Sequence, residues 1–467
     1  MSLRSRPAVA RQRVLVHGCG HDAVACAGLL AADGNDVTLV TADGQPTGTD
    51  VAVRSGVRVR RDRPDDIADI LVVDCWTAET APIVVRHRAA GAYVTSIGDL
   101  VLQRCRAHTL GVTGSGGKTT ATRLAVEMMR ASGMMVTAST SARAGNAWPA
   151  AELLDGLPGP ASPDWLAVEL TSTHLAYMHT SPDVAVITAF WPDHVELHGS
   201  LERYRSAKTT ILRHQRPGGV CIVNVDDVGA ATFADDATGI VLEASAERPV
   251  ASGIGTEGDH VVARLDAVTR LCRRDAIPVP VPLASIVVSA ACAALTCGAD
   301  PQAVAAVMVA PPVLPHRRQV LGTIAGVAVV DDSAATTPRK ARGALSGRDR
   351  SCLVVIVGGD LDVGGRPVHD SPAEDAEREH MVRDLAACRE VIAFGPAAVR
   401  VPGAAQATTL AQACAMARHL ATPGDTIVLA PMFPLSPRER AAFPRLMGLH
   451  QDGDRTTPTD PTTSATG

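Results

Sequence analysis

"GVTGSGGKTTATRLAVEMM", residues 111–129, joins a short apolar run to a segment with helical spacing, and the turn between them is mostly glycine. Glycines 114, 116 and 117 let successive backbone N–H groups face one point, and the N-terminus of the following helix adds positive potential there. Lys118 is placed to reach the terminal phosphates of a nucleotide, and Thr119 to bind Mg²⁺. The spacing, TGxxGK[ST], is shorter than the usual phosphate-loop pattern, yet GGKTT between a strand and a helix is a specific signal. Gly114, Ser115, Gly116, Gly117, Lys118, Thr119 and Thr120 are therefore the expected nucleotide-binding residues, and ATP is the expected nucleotide.

Similar apolar runs recur on both sides of this stretch: VLVHG (14–18), VTLVT (37–41), ILVVD (70–74), WLAVEL (165–170), VAVITAF (184–190), VCIVNV (220–225), VAVVDD (327–332), LVVIVGG (353–359), VIAFG (391–395) and IVLAP (427–431). Short apolar runs bounded by Gly, Asp or Pro suit strands buried on both faces, and the segments between them have helical length. An α/β chain with parallel sheets is expected.

At 467 residues the chain exceeds what one core usually organises. Three domains are expected: a Rossmann-like one over 1–106, a P-loop ATPase with a mainly parallel sheet over 107–312, and a second Rossmann-like one over 313–450. The Pro-rich VAPPVLPHRR (309–318) reads as a stiff hinge before the last. Residues 451–467, polar and rich in Thr and Pro, are expected to be a disordered tail.

Composition excludes several classes. Aromatic residues make up 3% and the net charge is −5, so neither base stacking nor a basic field favours nucleic acid. No apolar run is long enough to span a membrane, and the N-terminal residues lead straight into a strand-like run. The 11 cysteines are scattered singly without zinc spacing and read as reduced thiols. A soluble, cytoplasmic monomer acting on small molecules is expected. GCGHDA (18–23) is ambiguous: Ala23 stands where a dinucleotide fingerprint needs glycine and Thr41 where it needs an acid, so a plain strand–helix turn and a nucleotide-diphosphate contact through Gly18 and Gly20 both stay open.

Two segments after the loop carry candidate metal ligands: AVELTSTH (167–174), with Glu169, and AFWPDHVELHGSLERYRSAK (189–208), with Asp193, His194, His198 and Lys208. A carboxylate with an imidazole can hold Mg²⁺ beside a phosphate. Lys208 is one of only three lysines, with Lys118 and Lys340, so most positions that could carry either cation carry arginine and these three do not.

In this order and at roughly this spacing, TGSGGKTT, VELTSTHL, PDHVELHGSLERYRSAKTTI, VNVDD (223–227), LPHRRQ (314–319), VVDDSAATTP (329–338), VGGDLDVGG (357–365) and PGDTIVLAP (423–431) resemble the Mur ligase family, over about residues 12–445. The resemblance is nearest to the branch that adds D-glutamate to UDP-N-acetylmuramoyl-L-alanine in peptidoglycan synthesis. It implies ATP-dependent amide formation through an acyl phosphate, with a UDP-sugar-peptide bound by the N-terminal domain. It implies catalytic roles for Lys118, His194 and Lys208, and two Mg²⁺ ions held by Thr119, Glu169, His194 and a CO₂-derived carbamate on Lys208. An amine can become an oxygen-ligating carbamate, whereas a guanidinium stays a cation and repels metal. The resemblance also implies ATP contacts from Arg317 and Asp332, and substrate contacts from Gly18, Gly20, Ser141 and Thr336.

The specificity segments depart from the family. Ala334 and Thr337 stand where lysine and asparagine are usual, no lysine lies near Val363, and PLASIVVSAACAAL (282–295) offers Ser285 and Ser289 in place of an adenine-contacting asparagine. TASTSARAGN (137–146) replaces the usual muramoyl-substrate loop, and MFPLSPRERAAF (432–443) brings Arg438 and Arg440 to a normally small-residue stretch. The alternatives are a paralogous ligase for another amino acid or acyl substrate, and a degenerate nucleotide-binding module. A GTPase is disfavoured, since the three lysines leave no candidate for Asn-Lys-x-Asp.

Overall fold

The computed structural model describes residues 11–18, 21–41, 56–74, 77–138, 164–193, 195–361 and 372–449. The expected tail, 451–467, lies outside the described residues. The chain divides into two compact units, Met1–Val313 with His369–Glu374, and Leu314–Val368 with Asp375–Gly467.

The first unit carries two sheets. Five strands, β1 (Arg13–His17), β2 (Asp36–Thr41), β3 (Arg58–Arg61), β4 (Ile70–Val73) and β5 (Tyr93–Ser96), form an all-parallel sheet in the order β3-β2-β1-β4-β5. Nine more follow: β6 (His108–Thr113), β7 (Val136–Ala138), β8 (Trp165–Glu169), β9 (Val184–Ile187), β10 (Val220–Asn224), β11 (Ile240–Ala244), β12 (Gly253–Glu257), β13 (His260–Arg264) and β14 (Val268–Arg273). Their order is β14-β13-β12-β11-β10-β9-β6-β8-β7, parallel from β7 to β12, with β13 and β14 added as an antiparallel ladder.

The second unit has one sheet built from β15 (Gln319–Ile324), β16 (Val327–Asp331), β17 (Leu353–Gly358), β18 (Glu390–Phe394), β19 (Ala405–Ala407) and β20 (Thr426–Met432). The order is β15-β16-β20-β17-β18-β19, parallel except for the antiparallel edge β15. Every apolar run read from the sequence lies on one of these strands. Their central residues are buried on both faces, as helices on either side of a parallel sheet require.

Position within the central sheet follows from connectivity. β6 lies between β8 and β9, so the chain leaves it in one direction and later returns on its other side. A crevice opens at the carboxyl end of such a strand, which is where open parallel sheets bind ligands. The helix Lys118–Ala131 leaves that end with Ala121, Leu124, Ala125, Met128 and Met129 buried, and it packs against the apolar helix Val281–Thr296. Among the described residues no helix is long and apolar enough to cross a membrane, and the described cysteines are free thiols, most of them buried.

Candidate active site

The carboxyl ends of neighbouring strands bring together Glu169 at the end of β8, the loop after β6, Thr188 after β9 and Asn224 at the end of β10. The loop, residues 114–117, is fixed from below. Thr188 Oγ1 donates to the Thr113 carbonyl at 3.0 Å or to that of Gly116 at 2.6 Å, and the Ser115 amide donates to the Ala189 carbonyl at 2.8 Å. Gly117 has φ +80°, and a Cβ there would meet Ile286 Cδ1 at 2.7 Å. A Cβ on Gly116 would meet the Trp191 ring at 2.5 Å. At these two positions glycine is required by backbone geometry and by close approach.

Polar groups on the loop divide into two sets. Ser115 is turned inward: its hydroxyl lies 2.8 Å from the Trp191 carbonyl and 2.8 Å from the Tyr204 hydroxyl, and it accepts from the Trp191 amide. With its amide also committed to Ala189, this expected nucleotide-binding residue holds the loop in place from within. Lys118, by contrast, folds back so that its Nζ donates to the Gly114 carbonyl at 2.9 Å. Thr119 Oγ1 donates to Glu169 Oε2 at 2.7 Å, and both residues are buried. Thr120 is half-buried on the same first turn.

Lys208 comes from the helix Leu201–Arg213, which starts at the Ser200 cap. Tyr204, Ala207, Lys208, Ile211 and Leu212 share one buried stripe at helical spacing, so the lysine occupies a core position with 1% exposure. Its Nζ donates to the Gly114 carbonyl at 3.0 Å, lies 3.4 Å from Thr113 Oγ1 and sits 4.8 Å from the centre of the Tyr204 ring. A solvated helix face is excluded. Burial holds the Tyr204 phenol well above its ordinary pKa, with Asp193 acting in the same direction, so its hydroxyl stays protonated and bonded to Ser115.

Asn224 donates to the Thr188 carbonyl at 2.8 Å and lies 3.1 Å from Ser285 Oγ, while Ser289 Oγ donates to the Ser285 carbonyl. Ser285 and Ser289 are both buried. His194, Ser141 and Gly20 lie outside the described residues. Gly18 follows β1 directly and its amide donates to the Val40 carbonyl at 3.1 Å, and a Cβ there would meet the Asp74 carboxylate.

Arg317, Asp332 and Thr336 belong to the second unit. Arg317 stands between His316 and Arg318, which have φ +63° and +48°, an uncommon conformation for non-glycine residues. The turn is held from both sides: His316 Nδ1 lies 2.8 Å from Asp331 Oδ2, and the Arg318 amide donates to Asp332 Oδ1 at 3.2 Å. Burial raises the Asp332 carboxyl to about 7, opposed by the Arg318 amide and by the guanidinium groups of Arg318 and Arg317. The Thr336 amide donates to the Ala334 carbonyl, and the Thr337 side chain caps the helix Pro338–Leu345 by accepting from the Lys340 amide.

Residues 112–253 match the Mur ligase middle domain. The UDP-N-acetylmuramoylalanine–D-glutamate ligase of Frankia casuarinae is 33% identical over 438 residues, covering 90% of this chain and 88% of that relative. This chain belongs to the Mur ligase family. The enzyme of the same name from Symbiobacterium thermophilum is 30% identical over 377 residues, 78% of this chain and 79% of its own length. Among solved structures, the Mur ligase MurC from Thermotoga maritima aligns with TM-score 0.57 at 16% identity, covering 94% of this chain and all of that one. MurF from the same organism, solved with ADP, aligns with TM-score 0.57 at 15% identity over 88% of this chain and 94% of its own. At such identities the structural likeness establishes the fold.

Within this Mur ligase, sequence reasoning passed over Thr188, Asn224, Trp191 and Tyr204, which shape the loop without motif spacing of their own. Tyr204 had one available signal. The chain has only three tyrosines, and this one lies a helical turn before Lys208.

Proposed function

We propose that this chain is an ATP-dependent ligase that joins D-glutamate to UDP-N-acetylmuramoyl-L-alanine in peptidoglycan synthesis. The acyl substrate's carboxylate attacks the ATP γ-phosphorus, ADP leaves, and the amino acid's amine displaces phosphate from the acyl phosphate to form the amide. Residues 1–106 serve as the UDP-substrate domain, 107–312 as the ATP domain and 313–450 as the domain that brings Arg317 and Asp332. The observation that carries this reading is the convergence of Lys118 and Lys208 on the Gly114 carbonyl beside the Thr119–Glu169 pair. The Lys118 ammonium on the glycine turn fits a polyphosphate, adjacent hydroxyl and carboxylate oxygens are the hard donors Mg²⁺ takes, and Lys208 stands beside them where a carbamate would add further oxygens.

The Thr119 hydroxyl and Glu169 carboxylate lie together as oxygen donors that Mg²⁺ takes; in this reading a carbamate on Lys208 and His194, which lies outside the described residues, would complete the shell for two ions. Bound there, the metal supplies charge compensation for the transferring phosphoryl group. The carbamate forms when the neutral Nζ attacks CO₂, making a C–N bond and releasing one proton to water. Lys118 binds and orients the terminal phosphates, and Ser115, Thr188 and Tyr204 keep the loop in shape. The enzyme works as a cytoplasmic monomer.

A second amino acid is favoured by one observation. The Thr337 hydroxyl, at a position where the family has asparagine, is used to cap a helix, and Ala334 offers no cation. The deciding experiment is phosphate release and amide formation with UDP-N-acetylmuramoyl-L-alanine across a panel of amino acids. Turnover with D-glutamate supports the first reading; turnover with a neutral amino acid and none with D-glutamate replaces it.

A further inference from the structure

The loop after β4 contributes a carboxylate to the interior of the central domain. Glu79 Oε1 lies 3.0 Å from His198 Nδ1, and His198 Nε2 lies 3.0 Å from Ser172 Oγ. His198 is fully buried, Ser172 is 6% exposed and the Glu79 side chain 18%. A carboxylate only accepts, so Nδ1 carries the proton; in the neutral ring Nε2 then accepts from the Ser172 hydroxyl. The order Ser–His–carboxylate is that of a nucleophilic triad, but at this depth no substrate reaches the serine.

The relay touches two segments that bear candidate metal ligands, one through Ser172 and one through the His198 ring. Ser172 follows Glu169 by three residues, beyond the end of β8. The His198 ring packs on the Tyr204 ring with centroids 5.4 Å apart. Tyr204 in turn reaches Ser115 in the phosphate loop at 2.8 Å and lies under the Lys208 ammonium. One imidazole therefore abuts both the strand end that presents Glu169 and the helix that presents Lys208, and its orientation is set by Glu79 alone among the described acidic side chains within bonding distance.

We infer that Glu79 is a positioning residue: through the His198 imidazole it fixes Ser172 beside the Glu169 strand end and Tyr204 beneath Lys208, so that the N-terminal sheet unit contributes to turnover without touching ATP. Removing a hydrogen-bonded group that orients a ligating shell commonly costs about 10- to 100-fold in metal affinity or activity. The inference rests on the ligase reading above.

The test uses the full-length chain and two substitutions, Glu79→Ala and Glu79→Gln, with Arg88→Ala as control, because Arg88 Nη1 lies 3.6 Å from Glu79 Oε2 on the outer side. Glutamine keeps an oxygen that can accept from Nδ1. Glu79→Ala is expected to lower kcat roughly tenfold or more, with KM for ATP and melting temperature near wild type. Glu79→Gln is expected to restore most of kcat, and Arg88→Ala to leave it unchanged. Wild-type kcat in Glu79→Ala overturns the inference. So does a change confined to KM, or a loss that follows a lowered melting temperature and is not restored by glutamine. Wild-type protein that forms no amide with any amino acid refutes the ligase reading instead, which separates the two failures.

Discussion

Lys118 and Lys208 donate to one and the same acceptor, the Gly114 carbonyl, at 2.9 and 3.0 Å, although they lie on different helices. Two ammonium groups this close repel each other, and Lys208 lies in the core, where charge is costly to hold. A phosphate relieves the repulsion by lying between them. The proposed conversion of the Lys208 amine, which lies against the Tyr204 ring, to an anionic carbamate would remove it more completely.

Lys208→Arg therefore lowers turnover by about 100-fold or more, because arginine keeps its positive charge and cannot take up CO₂. The accompanying measurement is turnover in buffer stripped of CO₂, then supplemented with bicarbonate. Wild type loses and regains activity, and the variant stays flat. Equal wild-type rates in both buffers would refute the carbamate.

Thr119→Ala removes the hydroxyl paired with Glu169 at 2.7 Å. The Mg²⁺ concentration for half-maximal rate rises about 10- to 100-fold, as expected when a ligand or its partner is lost. A titration of ATP turnover against Mg²⁺ checks this; an unchanged midpoint removes Thr119 from the metal shell.

Gly117→Ala places a side chain at φ +80°, against Ile286. The left-handed conformation alone costs about 1–2 kcal/mol, and the loop responds by shifting the amides that face the phosphates. The binding constant for a non-hydrolysable ATP analogue weakens about tenfold or more for a cost of this size. Binding as tight as wild type would show that the loop can distort without loss.

Asp332 gives a pH signature with a definite sign. Its carboxyl is raised by burial to about 7 in the folded protein, against 3.8 as its ordinary value. Between those values the folded state holds a proton that the unfolded state has lost, so this group's contribution to stability falls as pH rises from about 4 to about 7 and then levels off. Asp332→Asn removes that dependence. Denaturant unfolding at pH 5 and pH 8 is expected to show the variant's stability advantage over wild type growing between the two by on the order of a few kcal/mol.

Much of this architecture could be read from residues alone because parallel strands covered on both faces are continuous apolar runs. LVVIVGG and VCIVNV declare themselves that way. β3, with the sequence RVRR, β14, VTRLCR, and the antiparallel edge β15 went unread for the opposite reason: edge strands keep one side in water and carry arginine, threonine and glycine. The site shows a similar divide. Gly117, Lys118 and Thr119 were legible because phosphate chemistry fixes their spacing, and Lys208 because lysine is scarce. Thr188, Asn224 and Glu79 act by meeting groups far away in sequence, and no local pattern marks such a partner.

The pairing of β6 has a consequence for how the molecule comes into being. Val112 is in register with Glu169, and Thr113 with Ile187, so the strand that launches the glycine turn receives both neighbours only after long stretches of later chain exist. During synthesis the loop leaves the ribosome well before anything can hold it. Competence for chemistry is thus assembled late, and substitutions in β8 or β9 are expected to slow refolding of the nucleotide site more than changes near the loop itself.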